Sequence, residues 1–257
     1  MDHVKINNTS ICCDKNENDE KQLKIINESI EKESRKQYYI KTVEELNETE
    51  RQELPNHCKF MEAAIDEGHK ALKEGEVPVA CVIVHKGEII ARGSNKTNIK
   101  KNGTRHAELE AFDQIFLNKE LNDRFKDSLL EECDLYVTVE PCLMCAVALQ
   151  LCKIKRVFFG CHNDKFGGNG SVYELNFSPI SNGRPYNCIS GLLKERAILL
   201  LQLFYNQENK KAPVPNKRKR LDPEELKKEM LKISETSSSN QLILNISENL
   251  GDVKEKV

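Results

Sequence analysis

The sequence predicts an α/β fold built of strand and helix layers. Extended apolar runs at 79–85, 135–139 and 157–160 alternate with runs of helical periodicity at 58–74, 107–116, 142–151 and 192–205. These segments lie within a stretch of about 150 residues, a length that buries roughly 70% of its surface unaided. On either side of it the chain turns polar and charged.

Residues 1–56 are dominated by Asn, Glu and Lys. Ile25, Ile26 and Ile30 sketch one apolar edge, and Val43 and Leu46 another, too little for a core. The expectation is a largely disordered or partly helical extension, with a partner-binding helix as the alternative. Leu54-Pro55-Asn56 reads as its boundary, so the folded domain is expected over 57–212. Its first helix carries Phe60, Met61, Ala64, Ile65, Ala71 and Leu72 at helical spacing and breaks at Gly75-Glu76-Val77-Pro78. A buried strand at 79–85 turns at Lys86-Gly87 and returns over 88–92. Asn95 opens a polar loop that ends at Asn102-Gly103-Thr104. The next helix has apolar Ala107, Leu109, Ala111, Phe112, Ile115 and Phe116. A charged stretch at 118–132 reads as a loop with a short helix. Strand 135–139, helix 142–151 and strand 157–160 follow. The loop 162–170 is glycine-rich and polar. It is either a long turn or, beyond a strand end, a substrate edge. Residues 178–189 read as a loop, and the helix over 192–205 closes the domain before Pro213 and Pro215. From 213 to 257 a basic, mostly disordered tail is expected. Asp222-Pro223-Glu224-Glu225 starts a short helix within it.

Charge is balanced: 39 Lys and Arg against 41 Asp and Glu, net −2. The composition as a whole does not advertise a nucleic-acid partner. The basic cluster Lys217, Arg218, Lys219 and Arg220 is local. It reads as a solvated tail, a nuclear import signal or a set of RNA phosphate contacts. Ten cysteines accompany no apolar leader and no run of about 18 apolar residues, so a reducing compartment without a membrane is expected. Cys81, Cys152 and Cys161 sit in apolar runs as small core residues.

The chemistry concentrates at Pro141-Cys142-Leu143-Met144-Cys145. A strand feeding a helix with thiols at i and i+3 points both sulfurs at one ion. The helix N-terminus favours thiolates, and Pro141 suits a position whose N–H has no partner. His106 lies at a second helix start. Three donors, His106, Cys142 and Cys145, leave one tetrahedral position open, as in catalytic rather than structural zinc sites. Such an ion lowers the pKa of water to about 7, and Glu108 is placed to shuttle its proton. The bland alternative is a structural zinc knuckle or a set of buried thiols.

His106-Ala107-Glu108 with Pro141-Cys142-x-x-Cys145 resembles the signature of zinc-dependent nucleobase deaminases. From Phe60 to about Ala212 the chain is similar to the catalytic subunits of eukaryotic tRNA-specific adenosine deaminases. The likeness runs through Glu76-Val77-Pro78-Val79, Thr104-Arg105-His106-Ala107-Glu108, Phe166-Gly167-Gly168, Gly183-Arg184-Pro185-Tyr186 and Phe204-Tyr205-Asn206-Gln207-Glu208-Asn209. The resemblance implies a three-layer α/β/α cytidine-deaminase-like fold with a central mixed sheet. It implies conversion of the wobble adenosine of tRNA anticodons to inosine, one catalytic Zn2+, and a heterodimer with a related inactive subunit in nucleus and/or cytoplasm. Carried over by position, His106, Cys142 and Cys145 hold the metal and Glu108 moves the proton. Asn95 contacts the base, and the backbone near Val77 and Ala107 lines its pocket. Asn163 and Lys165 touch the anticodon backbone. An ordinary loop amide at Asn95 and a solvated lysine at Lys165 are the plain alternatives. Two rival functions stay open: a cytidine, deoxycytidylate or guanine deaminase, and a non-catalytic RNA-binding subunit. Glu108 argues against the second.

Overall fold

The computed structural model describes residues 38–125, 130–178 and 180–206. Six strands form one mixed sheet: β1 (Ile40–Thr42), β2 (Ala80–His85), β3 (Glu88–Ser94), β4 (Cys133–Val139), β5 (Arg156–Cys161) and β6 (Asn187–Ser190). Their order is β1-β6-β5-β4-β2-β3. The β1-β6-β5-β4 half is parallel, and β2 and β3 extend it antiparallel. The helices are α1 (Glu48–Lys73), α2 (Ala107–Phe116), α3 (Lys119–Phe125), α4 (Leu143–Leu151) and α5 (Lys194–Asn206).

Alternation along each strand divides the core into two layers. Cys81, Ile83, Leu135, Val137, Val157, Phe159 and Cys188 join Ala107, Ala111, Phe112, Ile115 and Leu149 of α2 and α4. Their strand neighbours Val82, Val84, Tyr136, Phe158 and Ile189 point the other way, onto Leu54, Cys58, Met61 and Ile65 of α1 and Leu200 of α5. The expected three-layer arrangement is therefore present. The β2–β3 turn is made by Lys86 (φ 49°) and Gly87 (φ 84°), both left-handed as a two-residue hairpin requires.

Ordered structure starts earlier than residue 57. β1 pairs in parallel with β6, and α1 begins at Glu48. Asn47 caps it by accepting from the Glu50 N–H, while the Glu50 carboxylate accepts from the Asn47 N–H. Pro55 lies inside α1 rather than before it. A proline removes one helical hydrogen bond. Burial of Leu54, His57 and Cys58 against the sheet carries the helix through it. Val43 and Leu46 also bury into this layer. The segment read as a loop to 189 contains β6. Only Cys188 and Ile189 mark it as apolar, and its stability comes from strands on both sides. The following helix starts at Lys194, because Gly191 (φ 89°) and Leu193 (φ 51°) hold left-handed backbone. The expected extension before residue 38, the helix at 222–234 and the basic cluster Lys217–Arg220 lie outside the described residues. No helix among the described residues is long and apolar enough to cross a membrane.

Candidate active site

Two helix starts meet at one end of the sheet. β3 leads through the 95–106 loop into α2, and β4 leads through Pro141 into α4. His106 is the N-cap of α2 and Cys142 the N-cap of α4, both in extended backbone. Cys145 stands one turn into α4. Gly93 of β3 lets α2 approach closely. A methyl at that position would lie 2.8 Å from the Ala111 nitrogen and 3.0 Å from the Ala107 carbonyl carbon.

The structure brings His106, Cys142 and Cys145 together, with one donor atom of each within 4.8 Å of the others. His106 Nδ1 is 3.4 Å from Cys142 Sγ and 3.6 Å from Cys145 Sγ. Zinc bonds of about 2.1 Å to nitrogen and 2.3 Å to sulfur give a tetrahedral N···S edge of about 3.6 Å, so the donor spacing fits the ion. The charge pattern agrees. Hydrogen bonding from Cys145, helped by His106, pulls Cys142 down to about 4. The same bond, together with burial, pushes Cys145 up. A divalent cation at this point would favour the thiolate form of both sulfurs. The bond to Cys142 also raises His106.

Glu108 is 2% exposed, and its Oε2 is buried with no hydrogen-bond partner. An orphaned carboxylate oxygen beside the donor triad is a free-energy debit unless a ligand engages it. Burial raises its pKa, and the neighbouring Cys142 acts in the same direction.

These groups open into a cavity of about 400 Å³, whose wall also includes Val79, Asn95, Val139, Met144, Asn163 and Phe166. Asn95 Oδ1 accepts the Ala107 N–H at 3.0 Å, which directs its amide NH₂ toward the cavity. Asn163 is in the wall and Lys165 is exposed on the same loop. The Val77 and Ala107 backbone, expected to line the base pocket, adjoins the wall residues Val79, His106 and Glu108. The Val77 carbonyl accepts the Val79 N–H in a tight turn, and Val79 reaches the cavity. Ala107 is fully buried against β3.

Two residues without an assigned role hold the cavity's rims. Glu140 is 2% exposed, and its carboxylate accepts the backbone N–H groups of Asn163 (3.0 Å), Asn169 (2.9 Å) and Ser171 (3.1 Å), plus the Ser171 hydroxyl. Glu76 is fully buried and does the same for the 95–105 loop, through the N–H groups of Asn98 (3.1 Å) and Ile99 (2.7 Å). The only signal in the sequence was that Glu140 adjoins Pro141 and that Glu76 follows a helix-breaking glycine.

Residues 54–161 match the cytidine and deoxycytidylate deaminase zinc-binding region, an interval containing all three donors and Glu108. The chain is 47% identical over 163 residues to the tRNA-specific adenosine deaminase subunit tad2 of Schizosaccharomyces pombe, covering 63% of this chain but 40% of that one. It is 45% identical to the tRNA-specific adenosine deaminase 2 of Danio rerio, covering 62% of this chain and 75% of the relative. For the Xenopus laevis protein of that name the identity is 44% and the coverage 63% and 93%. A solved structure from studies of A-to-I editing by tRNA:A34 deaminases at the wobble position superposes with a TM-score of 0.50 at 32% identity. It covers 56% of this chain and 99% of its own. Likeness of this degree along nearly the full length of the frog relative, through the interval that holds the donor triad, makes the chain a member of the tRNA-specific adenosine deaminase family.

Proposed function

We propose that this chain hydrolytically deaminates adenosine to inosine at the wobble position of tRNA anticodons. The observation that carries the reading is the buried, unpartnered Glu108 Oε2 beside a His-Cys-Cys donor set, opening into a cavity large enough to admit a nucleobase. His106, Cys142 and Cys145 would hold one zinc ion. When bound, zinc supplies Lewis acidity that makes water nucleophilic at neutral pH. Glu108 takes one proton from the attacking water and delivers it to the purine ring nitrogen; it then takes the second from the new C–OH group as that becomes the carbonyl and passes it to the amino group, which leaves as ammonia. The Asn95 amide donates to an acceptor on the base edge, and Val79 and Val139 flank the ring. Asn163 and Lys165 meet the anticodon backbone from the 162–171 loop. An anticodon loop is single-stranded, so presenting one base requires only modest unstacking.

The reading includes a heterodimer with a related inactive subunit, in nucleus and/or cytoplasm. α4 supports a partner. It has no charged residue, and its outer face shows half-buried Val147 and a Leu151 that is 46% exposed. The test co-expresses the full chain with that subunit and sequences treated tRNA for inosine, with free cytidine, deoxycytidylate and guanine as competing substrates. Glu108→Gln is expected to retain zinc and to form no inosine. Full activity in that variant, or deamination of the free substrates but not tRNA, would overturn the proposal.

A further inference from the structure

Phe166 belongs to the cavity wall, yet its side chain is largely in water, with the residue 62% exposed. Val172 and Tyr173, on the same loop, are 41% and 59% exposed. An apolar ring left in solvent forgoes its burial energy, and a flexible loop would fold it inward. This loop is held open. Phe166 donates its N–H to Asn163 Oδ1 at 3.2 Å, and its carbonyl accepts the Leu143 N–H at 3.0 Å. Gly167 donates to the Asn163 carbonyl at 2.8 Å. Beneath them the buried Glu140 carboxylate gathers three backbone N–H groups. Gly167 lies so close to that carboxylate that a methyl there would collide with it. The ring therefore stands on a backbone fixed from both sides, next to exposed Lys165. A rigid aromatic beside a cation at the mouth of a cavity that can admit a base suits single-stranded nucleic acid. Every base has a π face to stack, and a lysine matches the phosphate between bases. Little ordering is left to be done on binding.

We propose that Phe166 stacks on the nucleobase immediately flanking the one taken into the cavity. This rests on the deaminase reading only in taking RNA as the ligand. The test uses the full zinc-loaded chain, with its partner subunit if RNA binding requires one. The ligand is an anticodon stem–loop carrying 2-aminopurine on one or the other side of the target adenosine. Stacking quenches that probe. The expected result is quenching at one flanking position, lost in Phe166→Ala and kept in Phe166→Tyr. With intact RNA, Phe166→Ala is expected to lose roughly ten- to hundredfold in kcat/KM, the range for removing one base–aromatic stack. With that flanking nucleotide abasic, the wild type should drop by the same factor and the variant no further. Equal losses on intact and abasic RNA, no quenching at either position in RNA that is still deaminated, or no RNA binding at all would each overturn the proposal. Wild-type behaviour in Phe166→Ala would do so too, and would make the ring a protein contact or bare surface. Quenching without inosine formation would leave the stacking intact and refute the deaminase reading alone.

Discussion

Substituting Gly93→Ala adds one methyl where α2 crosses β3. That methyl would sit 2.8 Å from the Ala111 nitrogen and 3.0 Å from the Ala107 carbonyl carbon, nearer still to the carbonyl oxygen. Ordinary contact needs about 3.5 Å, so the helix must back away by at least about 0.7 Å. The obstacle is backbone, and no rotamer change relieves it. Overpacking of this kind destabilises by about 1–3 kcal/mol. The rigid obstacle puts Gly93→Ala near the upper figure, which lowers Tm by roughly 6–12 °C for a domain of this size. The displaced element is the one that carries His106 and Glu108, while both cysteines stay on α4. Donor spacing and proton shuttle are therefore disturbed together, and misplacement on the order of 1 Å costs about a hundredfold in rate. The assay is a thermal melt with metal analysis and inosine formation on the same preparation. Gly103→Ala is the control, because a methyl there meets nothing within 4 Å. A Gly93→Ala protein with wild-type Tm, full zinc and full activity would refute the reasoning.

Glu140→Gln turns a carboxylate that accepts three backbone N–H groups into an amide with one acceptor, leaving buried donors unmatched. A loss of about 2–4 kcal/mol is expected, with faster hydrogen exchange at 163–171 before any global unfolding; unchanged exchange there would count against the role. Gly167→Ala, crowding the same carboxylate, is expected to reproduce that exchange pattern. His57, stacked on Phe158 and 2.7 Å from the Tyr136 hydroxyl, has its pKa lowered from the ordinary 6.5 by burial and then by Arg156. Below pH 6.5 the unfolded chain binds a proton that the folded chain refuses. Stability should therefore fall as pH drops from 7 toward the folded value, and urea midpoints should show a shallower fall in His57→Asn.

What the residues disclosed in advance depends on whether type or tertiary context did the work. β2, β4 and β5 are long β-branched or aromatic runs, legible because both their faces are buried. β6 has two apolar residues and β1 is half-buried throughout. Each exists because a neighbouring strand pairs with it, which a local pattern cannot show. Pro55 misled for the same reason: its effect is local, and the burial that overrides it comes from the sheet. The donor triad and Glu108 were legible because only certain side chains can do that chemistry at helix starts. Glu76 and Glu140 were not, since an acid bound to buried backbone N–H groups looks like any surface acid until the loop around it is seen.

The parallel pairing of Ile40 with Cys188 also sets an order of assembly. During synthesis the outermost strand leaves the ribosome almost 150 residues ahead of the strand that receives it. At about 5–20 residues per second, that is a wait of roughly 7–30 s. Through that interval Tyr39, Ile40 and the first turns of α1 have no completed surface to dock on. β1 can pair at the edge farthest from β3 only once β6 has been made, and a nascent chain is exposed there until translation has passed residue 190.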